Sequence, residues 1–228
     1  MNAPDDNLAA AMARHGIELP EAHVARLTEY CTLLWDWNAK LNLTRHTDYE
    51  KFVARDLTDS LAFSRFLGPG EKVLDVGTGG GVPGVVLAIL RDDLDVSLCE
   101  SVGKKARAVT DIARRLGLDR PIHHARAEDL LAGHRYQTLV IRAVARLRKL
   151  LEWFRPHWQA FDRLLVLKGP GWVEERGEAR HVGLMHDLAL RKLLVYEVPP
   201  SGAQSVLLEI RPKDRATPAA RPRTGSRR

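Results

Sequence analysis

The fold is decided by residues 73–84, which read Val73-Leu74-Asp75-Val76-Gly77-Thr78-Gly79-Gly80-Gly81-Val82-Pro83-Gly84. A short apolar run of strand length leads into a turn that is dense in glycine. Glycine permits positive φ angles and lets a ligand approach the backbone closely. Pro83 suits the first turn of a helix. The stretch therefore predicts a buried strand, a ligand-binding turn and a following helix.

Two kinds of nucleotide-type cofactor fit this turn. Gly79, Gly81 and Gly84 satisfy the spacing of the dinucleotide fingerprint, whose amides cradle a pyrophosphate. The first glycines, however, follow Asp75 with the spacing Asp-x-Gly-x-Gly, which places a carboxylate at the end of the strand. A carboxylate repels a pyrophosphate but accepts hydrogen bonds from an ammonium group. The pattern thus favours S-adenosylmethionine, and a nicotinamide-dependent oxidoreductase is the competing interpretation.

Strand-like and helical segments alternate on the C-terminal side of this turn. Short apolar runs lie at 72–76, 95–99, 121–124, 138–143 and 164–167, and an antiparallel pair is expected at 193–198 and 205–210. Such alternation predicts an α/β fold with a mostly parallel sheet covered by helices on both faces. Ligands of such sheets bind beyond the carboxyl ends of the strands.

The residues before the sheet show helical periodicity instead. Helices are expected around 6–15, 21–39 and 48–67, and the last of them ends at Gly68-Pro69-Gly70. We therefore divide the chain into an N-terminal helical lobe (1–70), a cofactor-binding domain (71–210) and a basic tail (211–228).

Charge and composition narrow the class of protein. The chain has 228 residues and a net charge of +6, and the tail 211–228 holds seven basic side chains against one acidic one, so it carries that excess by itself. A tail rich in Pro, Ala and Arg is expected to be disordered, and it is either a contact for a polyanion or a solvated terminus. No apolar run approaches the roughly 18 residues of a membrane helix. Two cysteines cannot form a disulfide scaffold, so a reduced cytoplasmic protein is expected.

Several polar residues follow the predicted strands and are candidates for the site. Glu100 ends the second strand, where an acid can bind ribose hydroxyls. Ala127-Glu128 follows the third strand, where an acid can accept from an adenine amine or simply favour a helix N-terminus. Arg142 and Lys168 end the fourth and fifth strands, and two cations at that edge suit an anionic substrate such as a nucleic-acid backbone.

Taken together, these residues resemble the ribosomal small-subunit methyltransferase G family, also called glucose-inhibited division protein B. The resemblance covers roughly residues 20–210. It rests on Trp37-Asn38, Asn42-Leu43-Thr44, Asp59-Ser60, Asp75 through Gly84, Ser101, Gly103-Lys104, Glu128, Arg142-Ala143 and Leu167-Lys168-Gly169.

The resemblance implies a class I methyltransferase with a Rossmann-like, mostly parallel seven-stranded sheet. Its cofactor is S-adenosylmethionine, and its acceptor is N7 of a guanine in the decoding-region loop of 16S rRNA within the 30S subunit. The cofactor contacts implied by position are Gly77, Val82, Ala127, Glu128 and Arg142, with Glu100 at the ribose. Asp75 and Gly79 of the glycine turn complete the predicted cofactor site. Arg142 and Lys168 are expected to hold a phosphate or the guanine O6.

Three positions differ from the usual residues of that family. Asp56 stands where the family usually has His, Ile141 where it usually has Ser, and Gly80 where it usually has Pro. The changes at Asp56 and Ile141 face the acceptor side, so another acceptor, or a non-catalytic RNA-binding relative, remains an alternative.

Other chemistries have little support in the sequence. We expect no metal, because no His/Cys cluster has ligand spacing. We also expect no cysteine nucleophile near the cleft, which argues against methylation of a pyrimidine carbon. The expected protein is a monomer that does not contact a membrane.

Overall fold

A seven-stranded sheet forms the centre of the protein in the computed structural model, which describes residues 7–199 and 202–215. The strands follow the order β3-β2-β1-β4-β5-β7-β6 across the sheet. They are β1 (Lys72–Val76), β2 (Asp95–Glu100), β3 (Ile122–His124), β4 (Thr138–Arg142), β5 (Arg163–Lys168), β6 (Leu188–Val198) and β7 (Ala203–Pro212). The first five strands pair in parallel, and β7 runs antiparallel to both β5 and β6. The predicted α/β class and the C-terminal antiparallel pair are confirmed.

Helices cover the sheet on both faces. In the C-terminal part they are α5 (Gly84–Leu90), α6 (Gly103–Arg115), α7 (Ala127–Leu131), α8 (Leu147–Phe154) and α9 (Trp172–His181), with a 3-10 helix at Arg155–Ala160. Strands buried on two faces read as apolar runs, which is why they are recognisable in the sequence. The chain crosses over between β1 and β4, so their carboxyl ends form a topological switch point where ligands bind.

The N-terminal helices are α1 (Leu8–Arg14), α2 (Glu21–Asn38), α3 (Tyr49–Lys51) and α4 (Thr58–Ser64), with a π-helical segment at Phe52–Leu57. The prediction of one continuous helix over 48–67 is therefore wrong in its middle. The backbone N–H of Thr58 donates to the Val53 carbonyl five residues back, which is the hydrogen bond of the wider π turn. Such segments are rare and occur often at functional sites.

The N-terminal helices and the sheet share an apolar core. Leu27, Leu34 and Phe52 belong to the same buried cluster as Val86 of α5 and Val140 of β4. A second cluster, around Leu139 and Phe154, lies on the other face of the sheet. The helical part thus packs on the sheet through a continuous interior, and the division at residue 70 stays a prediction.

The C-terminal boundary needs a correction. The tail was predicted to start at residue 211, but Arg211 and Pro212 belong to β7 and Lys213–Arg215 forms a 3-10 turn. The pair is longer than predicted because β6 begins at Leu188, five residues before the apolar run at 193–198. The remaining tail, 216–228, lies outside the described residues.

Candidate functional site

The glycine turn follows β1 at the switch point. Gly77, Gly79 and Gly81 have φ angles of 68°, 59° and 109°, a conformation that side chains with a Cβ rarely adopt. A Cβ on Gly77 would lie 3.0 Å from Cγ2 of Val144, so the turn also approaches the loop after β4 closely. Glycine is thus required here by backbone geometry, as the sequence predicted.

Asp75 lies beneath this turn. It is 1% exposed, and its Oδ2 accepts a hydrogen bond of 2.8 Å from the backbone N–H of Gly84. A Cβ on Gly84 would lie only 2.6 Å from that same oxygen. Burial raises the pKa of Asp75 to about 6, although the nearby Thr78 hydroxyl and the hydrogen bond from Gly84 act against the shift. In the structure Asp75 therefore ties the first turn of α5 to β1.

Two cavities meet at Gly77. We call the first, of about 260 Å³, the loop cavity; its walls include Leu34, Leu43, Thr44, Arg45, His46, Asp56, Gly77, Thr78, Gly79, Gly80, Val82, Arg142 and Ala143. We call the second, of about 90 Å³, the strand-end cavity; its walls include Val76, Gly77, Cys99, Ser101, Ala125, Arg126, Ala127, Glu128, Val144, Trp153 and Phe154. Gly77 is thus a wall of both cavities.

The structure brings most of the predicted cofactor residues to these two cavities. Gly77, Gly79, Val82 and Arg142 line the loop cavity, and Ala127 and Glu128 line the strand-end cavity together with Gly77. Asp75, Glu100 and Lys168 line neither of the two.

Glu100, at the end of β2, accepts hydrogen bonds from the backbone of two loops. Its Oε2 accepts from the N–H of Gly79 at 3.0 Å, and its Oε1 accepts from the N–H of Val102 at 2.8 Å. The residue is 5% exposed. Glu100 thus joins the glycine turn to the loop after β2, and its ribose contact stays a prediction.

Arg142 is held by two buried carboxylates. Its guanidinium contacts Oδ1 of Asp56 at 2.6 Å and Oδ2 of Asp59 at 2.8 Å, and its side chain is 14% exposed. Burial disfavours its charge, but the two carboxylates outweigh burial and raise the pKa of Arg142. The arginine is therefore charged and fixed at the carboxyl edge of the sheet.

The same carboxylates contact two further residues. His46 Nδ1 lies 2.9 Å from Oδ1 of Asp56, and the Tyr196 hydroxyl donates to Oδ1 of Asp59 at 2.5 Å. Burial raises the pKa of Asp59, while the Arg142 charge and the Tyr196 hydrogen bond act against it. Oδ2 of Asp56 is buried without a hydrogen-bond partner among the described residues. The network thus gives the loop cavity a carboxylate beside a fixed cation.

Lys168 faces a different environment from the one predicted. Its Nζ donates to the Ala145 carbonyl at 2.6 Å and contacts Oε2 of Glu175 at 2.7 Å, and its side chain is 10% exposed. The side chain therefore joins β5 to α9 and to the loop after β4, and its contact with a phosphate stays a prediction.

Sequence analysis missed the N-terminal wall of the loop cavity. Oδ1 of Asn38 accepts from the N–H groups of Leu43 and Thr44 at 2.8 and 2.9 Å, which fixes the turn that leads to His46. The Tyr30 hydroxyl donates to the Gly80 carbonyl at 3.0 Å. Asn38 and the Asn42-Leu43-Thr44 run were visible as motif residues, but their spacing gives no sign that they reach the glycine turn.

One cysteine does lie near the cleft, in a form that is a poor nucleophile. Cys99 lines the strand-end cavity. It is 2% exposed, its Sγ donates to the Ala125 carbonyl, and burial raises the pKa of the thiol to about 12. The thiol is therefore close to the cleft but protonated, and it is a poor nucleophile.

The described ranges, 7–199 and 202–215, bear on two expectations, those about a metal site and about a membrane contact. They contain no cluster of three or more His, Cys, Asp or Glu residues that could hold a metal ion. They also contain no helix with the length and apolar character needed to cross a bilayer.

The sequence resembles known proteins over most of its length. The GidB family model, described as rRNA small subunit methyltransferase G, matches residues 23–197. A ribosomal RNA small subunit methyltransferase G from Rhodopirellula baltica is 48% identical over 84% of this chain and 83% of its own length. A protein of the same name from Clostridium novyi is 32% identical over 96% of this chain and 92% of its own.

The structure resembles solved structures at low sequence identity. An O-methyltransferase from Bacillus cereus in complex with SAH has a TM-score of 0.57 and 14% identity, over 89% of this chain and 97% of that chain. MtNAS in complex with MTA and tNA has a TM-score of 0.54 and 14% identity, over 83% and 74% of the two chains. These likenesses support the fold.

Proposed function

This chain belongs to the rRNA small subunit methyltransferase G family, and from that membership we propose the reaction that it catalyses. It transfers a methyl group from S-adenosylmethionine to N7 of a guanine in the decoding-region loop of 16S rRNA. The observation that carries the proposal is the meeting of two cavities at Gly77, with a fixed arginine beside the switch point.

The chemistry of the cavity walls fits S-adenosylmethionine. Asp56 presents a buried, unpartnered carboxylate oxygen, and carboxylates favour a cation such as the sulfonium or ammonium group of this cofactor. Among the described residues, each cavity has one carboxylate in its wall: Asp56 lies beside Arg142 in the loop cavity, and Glu128 lies near Arg126 in the strand-end cavity. Gly77, Gly79, Val82 and Arg142 would hold the cofactor on one side of the turn. Ala127 and Glu128 would hold it on the other side, with Glu100 beside the turn.

The bound cofactor supplies an electrophilic methyl group. Guanine N7 carries a lone pair and no proton, so no general base is needed and placement of the base controls the rate. The guanidinium of Arg142 contacts Asp56 through Nη2 and Asp59 through Nε, which fixes its position beside the loop cavity. A donor at that position suits the guanine O6 and leaves N7 free to react. Arg142 would therefore orient the base.

Lys168 would act as a positioning residue. Through Ala145 and Glu175 it holds the loop that follows Arg142. The acceptor in this proposal is the 30S subunit, and the protein acts as a cytoplasmic monomer.

The direct test is methylation with labelled S-adenosylmethionine. Purified protein is incubated with 30S subunits that lack the modification and, separately, with protein-free 16S rRNA. The label is then mapped by nuclease digestion and mass spectrometry. We expect 7-methylguanine in the decoding-region loop and more of it on 30S subunits.

Two results would overturn parts of the proposal. Label on another base would assign a different acceptor. Absence of label, with cofactor binding verified by calorimetry, would favour a non-catalytic RNA-binding relative. The changes at Asp56 and Ile141 would then mark the loss of turnover.

A further inference from the structure

An arginine-rich cavity lies at the edge of the sheet opposite the glycine turn. It has a volume of about 360 Å³, and we call it the arginine cavity. Its walls include Ser64, Arg65, Phe66, Leu67, Gly68, Pro69, Arg91, Arg163, Arg191, Glu209 and Arg211. Arg163 is the first residue of β5, and the 66–69 loop precedes β1, so the cavity opens at the amino edge. A five-residue strand such as β1 spans about 17 Å, which separates this cavity from the methyl-transfer site.

Three of the arginines converge on one buried carboxylate. Arg163 and Arg211 contact Oε1 of Glu209 at 3.1 and 2.7 Å, and Arg191 contacts Oε2 at 3.4 Å. The Glu209 side chain is 3% exposed. Burial disfavours its charge, but hydrogen bonds from Arg211 and Arg163 outweigh burial and lower the pKa of Glu209. Glu209 thus faces three positive charges, of which that of Arg163 is shared with Glu71.

Two arginines of the cavity are already committed to the fold. Arg163 donates to Glu71, Thr138, Glu209 and the Phe66 carbonyl. Arg91 pairs with Asp93 and donates to carbonyl oxygens of the preceding loop. Arg91 has no donor to spare for a ligand, and Arg163 has one at most.

The other three arginines keep unused donors. Arg191 contacts Glu209 at 3.4 Å and Arg211 contacts it at 2.7 Å, and the two arginine side chains are 46% and 16% exposed. Arg65 is exposed and makes no ion pair with any described residue. A guanidinium has five N–H donors in a planar fork that matches phosphate oxygens. The cavity therefore has more positive charge and more donors than its own carboxylates use.

We propose that the arginine cavity binds a phosphodiester of the RNA substrate through Arg65, Arg191 and Arg211. This inference rests on the proposed function, because it assigns a second contact to the same rRNA. Phe66 and Pro69 add apolar surface that a ribose or base can cover. A contact on the opposite edge from Gly77 anchors the particle and takes no part in methyl transfer.

The test is the binding of the full chain to unmodified 30S subunits at several salt concentrations. The test variant is the double substitution Arg65→Ala with Arg191→Ala. Each lost phosphate contact lowers the slope of log K against log salt by about 0.7 to 0.9. We expect the slope of the double variant to fall by the amount that corresponds to one or two lost phosphate contacts. Its affinity for 30S subunits at low salt should fall roughly tenfold. The KM for 30S subunits rises, whereas kcat at saturation and cofactor affinity stay unchanged.

The matched control is Arg135→Ala. Arg135 lies just before β4 at the same edge, its side chain is 57% exposed, and it pairs with one carboxylate, that of Asp162. It does not line the arginine cavity. A double variant that binds 30S subunits with the slope and affinity of this control overturns the inference.

Two further measurements separate the possible failures. The unchanged protein is assayed for methyl transfer in the same preparation. Absence of label counts against the proposed function, whereas the binding curves test the arginine cavity independently. Millimolar inorganic phosphate is also titrated at constant ionic strength. The RNA contact is overturned if the unchanged protein binds phosphate, the double variant does not, and both bind RNA with the same affinity. The cavity would then be a site for a free anion.

Discussion

Arg142 carries the positive charge that compensates two buried carboxylates, those of Asp56 and Asp59. Asp56 and Asp59 are 2% and 0% exposed, so both carboxylates depend on this guanidinium for compensation. A buried charge that loses its partner costs far more than an exposed one. The ion pairs therefore matter for stability as well as for orienting a base.

We predict that Arg142→Ala lowers the free energy of unfolding by about 3–5 kcal/mol, because two carboxylates remain buried without a cation. Urea unfolding measures the loss. Arg148→Ala, which removes an exposed arginine paired with Glu152, serves as the control and leaves stability nearly unchanged, because solvent screens exposed ion pairs. Equal stability of the two variants would show that the buried carboxylates do not need the arginine.

The protonation of Asp75 makes stability depend on pH. Its pKa is about 6 in the folded protein because of burial. A carboxyl group whose pKa is raised by folding stabilises the protein below the unfolded pKa, and this contribution disappears as the pH rises through the folded value. A pKa difference of one between the folded and unfolded states corresponds to about 1.4 kcal/mol. The free energy of unfolding therefore falls by an amount on the order of 2–3 kcal/mol between pH 4 and pH 7.

We predict that Asp75→Asn removes this pH dependence. The amide keeps a carbonyl oxygen that can accept from Gly84, but it does not ionise. From pH 4 to pH 7 the unchanged protein should lose stability that the variant keeps. The free energy of unfolding of the variant minus that of the unchanged protein therefore increases over this range. Denaturant titrations at four or more pH values measure it. A difference that stays constant over this range would contradict the assignment.

The individual elements were predictable to different degrees. Four of the parallel strands, β1, β2, β4 and β5, appear as apolar runs because most of their residues are buried, whereas the edge strand β3 is only partly buried. The first part of β6 was missed because exposed Arg191 and Lys192 break the apolar pattern and a bulge follows before Leu194. The π segment was missed because its wider turn keeps the same apolar positions as an α-helix over six residues.

The site was predictable where it is local in sequence. The glycine turn could be predicted because its conformation depends on adjacent residues. The pairing of Asp56 with Arg142 could not be predicted, because it joins positions that are 86 residues apart and only the packing of helix on sheet brings them together. For the same reason Lys168 looked available to a ligand, although Glu175 of α9 contacts it.

The junction between β1 and α5 gives a prediction for the element as a whole. A Cβ on Gly84 would lie 2.6 Å from Asp75 Oδ2 and 2.9 Å from Leu98 Cγ, both in buried strands. We predict that Gly84→Ala lowers the free energy of unfolding by about 1–3 kcal/mol, since added atoms in a packed core force backbone shifts. It also weakens cofactor binding, because the glycine turn leads directly into this helix.

Gly80→Ala is the matched control for that variant. Its Cβ would meet Cδ1 of Leu34 at 2.7 Å, but that atom is the far end of a flexible side chain. We expect a smaller loss of stability than for Gly84→Ala, measured by thermal unfolding and by calorimetric titration with the cofactor. Equal losses would show that the junction with β1 tolerates a side chain.

Across the whole molecule, the N-terminal helices and the sheet share one apolar cluster, and the glycine turn lies between them. Tyr30 of α2 is 0% exposed and donates to the Gly80 carbonyl. Because the helices form one wall of the loop cavity, their packing controls the shape of the cofactor site. We therefore expect a single cooperative unfolding transition that coincides for probes in both parts.

Tyr30→Phe separates this coupling from general stability. The change removes one buried hydrogen bond, which lowers the free energy of unfolding by about 1 kcal/mol. We also expect cofactor affinity to fall several-fold, because the Gly80 carbonyl loses its partner within the turn. Tyr136→Phe is the control, since Tyr136 is 1% exposed and forms a side-chain hydrogen bond with Ser97 on the other side of the core. This control should lose similar stability while its cofactor affinity, measured by calorimetry, stays unchanged. Equal cofactor affinity of the two variants would show that the helices support the sheet without shaping the site.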